Sequence, residues 1–354
     1  MSKLRILELF GGIGACSKAL ERLGVDYEIA DYVEIDKYAV ASFNAIHNTN
    51  FEPQDICTWN KDIEVDLIMH GSPCQDFSLA GKQAGGDEGS GTRSSLMYET
   101  IRIVEKLKPK YVIWENVKNL LSKNHKHNFD AYLETMEQLG YTNYYQVLNA
   151  KDYGIPQNRE RVFTISIRND IDKGSFLFPE KKELKLKLKD LLDQEVDESF
   201  YLTTEKIHKI SHWKAFQKPF EKVQGNNSIC PTLTARGAGE EHSGMITYCE
   251  DLENTTNLQP IIIGSTQEHA AISTDGIVPT LTSSMGIGGG HIPMHNYNFR
   301  IRKLTPKECW RLMGFDDEDI EKVSKVNSNT QLYKQAGNSI VVNVLEAILN
   351  NLLN

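Results

Sequence analysis

The sequence predicts an α/β fold built on a doubly wound, mostly parallel sheet, with a smaller second domain rich in strands and loops. Up to about residue 170, short apolar runs of strand character alternate with runs whose apolar residues recur at helical spacing. After Pro179 this alternation stops, and glycine, threonine, serine and asparagine become frequent. Since helical crossovers join parallel strands, such a sheet binds its ligands at the carboxyl ends of the strands.

The individual elements follow from this alternation. Strands are predicted over Arg5–Phe10, Tyr27–Glu34, Val65–His70, Tyr111–Glu115, Tyr144–Ala150 and Arg161–Arg168. Helices are predicted over Gly14–Leu23, Lys37–His47, Leu96–Lys106 and Asn128–Leu139. A last helical pattern at Asn343–Leu352 is expected to pack back on the first domain. We therefore expect a first domain at 1–179, a smaller one at 180–327 and a returning segment at 328–354.

The composition is that of a soluble globular protein, since 40% of the 354 residues are hydrophobic and 25% are charged. No run approaches the ~20 apolar residues of a membrane span, and MSKLR leads directly into the strand pattern ILELF, so we expect no signal peptide. The six cysteines form no C-x-x-C pair and no zinc-finger spacing. These features predict a cytoplasmic protein without disulfides, metal or membrane partner.

The net charge of −9 argues weakly against binding to nucleic acid. The charge of a whole chain says little, however, when positive residues are concentrated in a cleft, because binding depends on the local field. The run KKELKLKLK at residues 181–189 is more typical of a solvated edge or linker. Nucleic-acid binding therefore stays open on charge alone.

A glycine-rich turn, FGGIG at Phe10–Gly14, follows the first predicted strand. Glycines such as Gly12 and Gly14 let the backbone turn tightly and approach a ligand, with the N-terminus of a helix behind them. Glu34 ends the second strand, where an acidic side chain can bind ribose hydroxyls, and Asp55 is expected at the tip of the third strand. Because the turn lacks the lysine of a phosphate-binding loop, the set favours an adenosyl cofactor. Each acid alone would be typical of a solvated surface.

A second block, GSPCQDFS at Gly71–Ser78, follows the apolar strand DLIMH. Cys74 therefore stands where α/β enzymes place catalytic groups, and its thiolate would be the nucleophilic form. The glycine-rich stretch up to Arg93 has the composition of a mobile lid. Taken alone, Cys74 is equally typical of a buried structural cysteine, so its assignment depends on the groups around it.

Two further blocks complete a specific reaction centre. Glu115 closes the fourth strand within WENV, where partial desolvation favours the protonated form that a general acid needs. Arg159 and Arg161 alternate along the extended segment QNRER and are expected to lie on one face. Arginine forks suit base oxygens and phosphates.

The chain resembles bacterial and phage DNA (cytosine-5)-methyltransferases over nearly its whole length. The blocks that carry the resemblance are FGGIG, EID, QDI, GSPCQDFS, ENVKN, YGIPQNRERV, RKLTPKECWRLMGF and QAGNSI, in that order. The resemblance implies methyl transfer from S-adenosylmethionine to carbon 5 of a flipped-out cytosine in duplex DNA, with S-adenosylhomocysteine as product.

The resemblance also implies roles for individual residues. Cys74 would add to cytosine C6, Glu115 would engage the N3 edge, Arg161 would contact the flipped base and Arg159 would shape the pocket. The residues expected at the cofactor are Phe10, Gly12, Gly14, Glu34, Ile35, Asp55 and Asn338. Asn338 would in addition hold the two domains in register.

The chain departs from the family pattern at three places. Many members carry a tryptophan after the ribose-binding glutamate, whereas this chain has Ile35, which keeps an apolar contact with adenine but no aromatic stacking. The usual Arg-Gly pair of the lid is Arg93–Ser94 here. Residues 219–246 look like an extra segment, because the PTLT run and glycine-rich loop at 229–246 recur at 277–294.

Contacts with DNA are expected from two regions. In the first domain they would come from Gln75 and Ser78 of the cysteine block and from Arg93. In the small target-recognition domain, Arg236 is the first candidate for reading guanine in the major groove, and Gln267 for filling the space that the base vacates. For Arg236 and Gln267, a solvated loop residue is the alternative.

Two alternatives share the scaffold. An RNA methyltransferase acting on tRNA would use the same chemistry, but such relatives typically have a reduced recognition region. A non-catalytic DNA-binding protein would not need Cys74, Glu115 and Arg161. The leading interpretation is a monomeric modification enzyme in the cytoplasm of a prokaryotic or phage-infected cell, solitary or paired with a cognate restriction endonuclease.

Overall fold

The computed structural model of the chain describes residues 3–72, 96–201 and 304–354, together with the backbone of five short strands between Ile262 and Lys303. The strands are β1 (Leu4–Leu9), β2 (Tyr27–Val33), β3 (Leu67–His70), β4 (Tyr111–Val117), β5 (Tyr141–Asn149), β6 (Gln157–Asn158), β7 (Glu160–Arg168), β8 (Ile262–Ile263), β9 (Ile272–Ser273), β10 (Val278–Pro279), β11 (Met294–Tyr297) and β12 (Arg300–Lys303). The α-helices are α1 (Ala15–Arg22), α2 (Lys37–His47), α3 (Met97–Leu107), α4 (Lys126–Gln138), α5 (Pro306–Arg311), α6 (Asp317–Val323), α7 (Asn329–Asn338) and α8 (Val342–Leu353). Every strand and helix predicted from the sequence is present, with ends displaced by at most three residues.

The chain forms two compact units. The first comprises 1–149, 160–181 and 339–354, and the second comprises 150–159 and 182–338. These are units of packing. The functional domain boundaries expected after residues 179 and 327 remain a prediction.

The first unit contains a six-stranded sheet in the order β2-β1-β3-β4-β7-β5. The pairs β1–β2, β1–β3 and β3–β4 are parallel, which confirms the mostly parallel sheet. Strand β7 is antiparallel to both of its neighbours. The connection from β5, residues 150–159, is shorter than the dozen or so residues that a parallel crossover requires, so the chain returns in the opposite direction. The amino end of β7 therefore lies at the carboxyl edge of the other strands, with Arg161 opposite Val117.

Helices cover both faces of this sheet. Leu7 and Leu9 of β1 belong to a buried cluster with residues of α3 and α4, whereas Glu8 between them bonds to Ser17 of α1. Helix α1 in turn packs on α8. All four residues of β3 are buried, as expected for a central strand covered on both faces. The doubly wound arrangement is thus confirmed.

Within the described residues, the segment Asn329–Leu353 has the length and composition of a membrane span, and 56% of its apolar window is buried. It consists of α7 and α8, separated by residues 339–341. Leu345, Ile348 and Leu349 of α8 are completely buried, and α8 packs on α1. Helix α8 is therefore a core helix of the first unit.

The second unit combines short strands with packed helices. Strands β12, β11, β8 and β9 form one sheet, and β10 pairs with β6. Helix α5 begins with a capping box formed by Thr305 and Glu308. Arg311 forms ion pairs with Asp193 and Asp317 at 2.8 and 2.6 Å. These contacts connect α5 to the start of α6 and to the segment around residue 193.

Glu8 caps helix α1 from inside the core. The N-cap residue, Gly14, has no side chain that could accept a hydrogen bond. Glu8, only 2% exposed, replaces it, because its Oε1 accepts the N–H of Ser17 at 3.1 Å as well as the Ser17 hydroxyl proton. Desolvation raises the pKa of Glu8 from 4.5 to about 7.

This raised pKa predicts a dependence of stability on pH. Between the two pKa values the folded protein binds more protons than the unfolded chain, so the free energy of unfolding falls as pH rises through that window. Replacement of Glu8 by Gln removes this contribution. The stability of Glu8→Gln relative to wild type should therefore increase between about pH 5 and pH 8 in denaturant titrations. Glu21→Gln, on the exposed side of α1, serves as the control, and an unchanged difference for Glu8→Gln would contradict the assignment.

Candidate active site

The carboxyl ends of the central strands carry the residues that the sequence singles out. The chain leaves β1 for β2 on one side and returns to β3 on the other, so the strand order reverses between β1 and β3. Ligands of open α/β sheets bind in the crevice at such a point. Phe10–Gly14 follow β1, Glu34 follows β2, Gly71 and Ser72 follow β3, and Glu115 lies near the end of β4.

The glycine-rich turn has a backbone that glycine adopts most easily. Phe10, Gly12 and Gly14 have φ angles of 52°, 56° and 81°. A Cβ atom on Gly14 would lie 2.3 Å from Nε2 of His47, so both space and backbone require glycine there. A Cβ atom on Gly12 would meet nothing within 4 Å. The turn therefore presents open space beside the backbone of Gly12, and the positive φ of Phe10 is strain of the kind found at ligand sites.

Glu34 holds this turn in place. Its Oε2 accepts the N–H of Gly12 at 3.1 Å, and its Oε1 accepts the N–H of Asp36 at 2.8 Å. Desolvation raises the pKa of the Glu34 carboxyl above its ordinary value. Each carboxylate oxygen has a second lone pair, so Glu34 can also accept hydrogen bonds from the hydroxyls of a ligand beside Gly12.

Two neighbours of Glu34 complete this part of the edge. Ile35 is 67% exposed, and the N–H of Gln54 donates to the Glu34 carbonyl at 2.9 Å. Asp55 therefore comes directly after Gln54, whose backbone N–H is bonded to the residue that follows β2. The expectation that Asp55 lies at the tip of the third strand is wrong. Its Oδ1 accepts the N–H of Cys57 at 2.9 Å and so opens a turn, well before β3 begins.

Glu115 and Arg161 form an ion pair at the same edge. Glu115 is 9% exposed, and its Oε1 lies 3.0 Å from Nε of Arg161. Arg161 reaches it because β7 is antiparallel. A Cβ atom on Gly71 would lie 3.8 Å from Oε2 of Glu115. The structure therefore brings together the predicted acid, one predicted arginine and the first residue of the cysteine block.

Arg159 has different surroundings, within the second unit. It is 4% exposed, and its Nη2 donates to the carbonyl of Gly337 at 3.1 Å. Gln157 is fully buried and donates from Nε2 to the carbonyl of Leu312 at 2.8 Å. The QNRER block is thus bound to the RLMGF and QAGNSI blocks. Asn338 is the exposed last residue of α7, and its predicted role is still a prediction.

Some almost fully buried polar residues at or near these blocks did not emerge from the sequence, among them Ser72, Asn116 and Gln157. The Ser72 hydroxyl oxygen accepts from Nε1 of Trp114 at 3.2 Å and from Nδ2 of Asn116 at 3.4 Å. A buried polar side chain needs a partner. The asparagine inside the apolar run of β4 was therefore an available signal that another polar group lies nearby.

The remaining predicted site residues lie outside the described part of the chain: Cys74, Gln75, Ser78, Arg93, Arg236 and Gln267. Their predicted roles stay predictions. In the residues that the structure does describe, no group of three or more histidine, cysteine or acidic side chains could hold a metal ion.

Comparisons with known proteins identify the family of this chain. The family model described as C-5 cytosine-specific DNA methylase matches residues 4–354. The type II methyltransferase M2.ScrFI of Lactococcus lactis subsp. cremoris is 34% identical, over 99% of this chain and 99% of that protein. The orphan methyltransferase M.SPBetaI of Bacillus phage SPbeta is 32% identical, over 100% and 98%.

Solved structures show the same fold. A crystal structure of a DNMT2 mutant from Spodoptera frugiperda superimposes with a TM-score of 0.66 at 20% identity, covering 99% of this chain and 100% of that one. A DNA modification methyltransferase described as putative, encoded within a prophage of E. coli, gives a TM-score of 0.65 at 21% identity, covering 99% of both chains.

Proposed function

The chain belongs to the family of C-5 cytosine-specific DNA methylases, and we propose that it methylates a cytosine base flipped out of a DNA duplex. In this proposal Cys74, Glu115 and Arg161 carry the reaction. The observation that carries the proposal is the Glu115–Arg161 ion pair at the carboxyl edge, with Gly71 of the cysteine block against the carboxylate. The acid, the arginine and the start of the nucleophile's segment thus share one end of the sheet.

The residues around the glycine-rich turn fit S-adenosylmethionine. The open space at Gly12 admits a ligand to the backbone, Glu34 can accept ribose hydroxyl protons, and exposed Ile35 offers an apolar surface for adenine. Phe10 belongs to the turn itself, and Asp55 follows Gln54, which is hydrogen-bonded to Glu34 at the end of β2. When bound, S-adenosylmethionine supplies an electrophilic methyl group.

The chain's own groups activate the pyrimidine. The Cys74 thiolate adds to C6, which forms a C–S bond and moves the C5–C6 π electrons to C5. Glu115 gives a proton or hydrogen bond to N3 and so stabilises the negative charge that develops in the ring. Once C5 carries the methyl group, with S-adenosylhomocysteine as the leaving group, the C5 proton leaves to a base and the C–S bond breaks, which restores the thiolate, while N3 returns its proton to Glu115. Arg161 fixes the orientation of Glu115 throughout.

Access to the ring requires the base to leave the stack, which costs a few kcal/mol. We propose that Gln75, Ser78 and Arg93 contact this DNA and that the small domain at 180–327 reads the sequence through Arg236 and Gln267.

Relatives named as type II and as orphan enzymes both occur. A cytoplasmic monomer, solitary or paired with a restriction endonuclease, fits either setting. Bisulfite sequencing of plasmid DNA from an expressing host, beside a parallel assay on tRNA, tests the substrate class.

The nucleophile and acid can be tested on a duplex that contains 5-fluorocytosine, because fluorine at C5 blocks the elimination step and traps the covalent complex. Cys74→Ala should abolish trapping. Glu115→Gln should slow single-turnover methyl transfer by about 10²- to 10⁴-fold, the usual contribution of a general acid. Cys57→Ala, which removes an exposed thiol, is the control and should trap normally. Trapping by Cys74→Ala would show that another group attacks C6.

Cofactor binding should depend on Glu34 and on pH. Glu34→Gln should weaken binding of S-adenosylmethionine by roughly tenfold to a hundredfold, because a charge-assisted hydrogen bond to the ribose is lost. Since desolvation raises the pKa of Glu34, wild-type affinity should fall on acidification before an ordinary glutamate would titrate. Calorimetric titration of the full chain without DNA measures both effects.

Glu28→Gln, an exposed change on the same strand β2, is the matched control and should bind the cofactor as wild type does. Equal affinities for wild type and Glu34→Gln across the pH range would remove Glu34 from the cofactor site.

A further inference from the structure

Ser72 connects the ends of two neighbouring strands. It follows β3, is 3% exposed, and accepts hydrogen bonds from Nε1 of Trp114 and Nδ2 of Asn116 on β4. Both donors are also almost completely buried. In such a dry environment each bond is shielded from competing water. The hydroxyl oxygen therefore ties the end of β3 firmly to β4.

The donors of Ser72 flank Glu115 in the sequence of β4. Side chains alternate between the faces of a strand, so Trp114 and Asn116 point to one face and Glu115 to the other. On that other face the Glu115 carboxylate lies against Gly71. Ser72 is thus bonded to β4 on one face of the sheet, and Gly71 lies beside Glu115 on the other, two and three residues before Cys74 in the sequence.

The orientation of Trp114 is itself fixed by packing. The ring of His70 lies parallel to the indole, with centroids 5.6 Å apart and an interplanar angle of 5°. Nε2 of His70 lies 3.2 Å from the hydroxyl of Tyr132, and burial lowers the pKa of His70 to about 3, so the ring stays neutral. The Tyr132 ring also packs on the indole of Trp114, with the two ring centroids 4.2 Å apart. The Nε1 donor is therefore preorganised toward Ser72.

We propose that Ser72 is a positioning residue, which sets the nucleophile Cys74 relative to the acid Glu115 through its hydrogen bonds to Trp114 and Asn116. This inference rests on the proposed function. Only Pro73 separates Ser72 from Cys74 in the sequence, and proline restricts its own backbone torsion. Because Cys74 is only two residues along the chain from Ser72, we expect a shift at Ser72 to displace the thiol, and a misplacement of about 1 Å can reduce a rate by about 10²-fold.

The test compares Ser72→Ala with Ser42→Ala. Ser42 is a fully buried serine of helix α2, whose buried residues Val40 and Phe43 belong to a cluster separate from that of Trp114. Both variants should lose a similar amount in Tm. Only Ser72→Ala should slow single-turnover methyl transfer and trapping on 5-fluorocytosine DNA, by about 10- to 100-fold. Its KM for DNA and affinity for S-adenosylmethionine should stay unchanged.

A second variant keeps the test decisive if Ser72→Ala does not fold. Trp114→Phe removes the Nε1 donor but keeps an aromatic ring, and it should show the same loss in kcat. If both fold, the double variant should lose less than the sum of the two single losses in free energy, because they remove one shared interaction.

A Ser72→Ala rate equal to that of Ser42→Ala or wild type overturns the positioning role. In that case Cys74-dependent trapping by wild type still supports the proposed function. Absence of trapping in wild type would instead remove the proposed function itself, so the two failures are distinguishable.

Discussion

Strand β4 is hydrogen-bonded on both sides, parallel to β3 and antiparallel to β7, and this double pairing determines which side chains meet at the edge of the sheet. Glu115 meets Arg161 on one face, while Trp114 and Asn116 meet Ser72 on the other. A slip of one residue in register would exchange the two faces and separate every one of these pairs. The chemistry of the edge therefore depends on a register that the buried side chains of β3 and β4 hold.

Two carboxyl groups, Glu8 and Glu34, hold the glycine-rich turn and the helix that follows it. Glu8 holds the first turn of α1 from inside the core, and Glu34 holds the N–H of Gly12 from the end of β2. Desolvation raises the pKa of both carboxyls, so their surroundings disfavour the ionised forms. These hydrogen bonds and the positive φ of Phe10 define the backbone conformation of the turn, and strain of this kind is typical of ligand sites.

The sequence predicts the elements of the first unit well, because its strands are short buried runs and its helices have clear apolar faces. It does not predict the direction of β7, because side chains alternate with a period of two residues in parallel and in antiparallel strands alike. The short connection at 150–159 was the available signal. Asp55 was misplaced because an acid before a turn and an acid after a strand look alike in sequence. The bonds of Ser72 and of Gln157 join residues distant in the chain, and no local pattern encodes such pairs.

The two arginines of the QNRER block show why residue identity matters beyond charge. Arg159 belongs to the second unit and Arg161 to the first, and the chain passes between the units at Glu160. Arg159 donates to a neutral carbonyl in a buried position, whereas Arg161 faces the carboxylate of Glu115. A lysine could supply the charge at either place, but its single ammonium group lacks the planar fork of donors. Arg161 contacts the Glu115 carboxylate through Nε and donates to the Glu160 carbonyl through Nη1. One guanidinium group therefore binds both the acid and the backbone of the strand that carries the arginine. In the proposed mechanism, proton transfer at N3 depends on the orientation that this fork gives to Glu115 as well as on its charge.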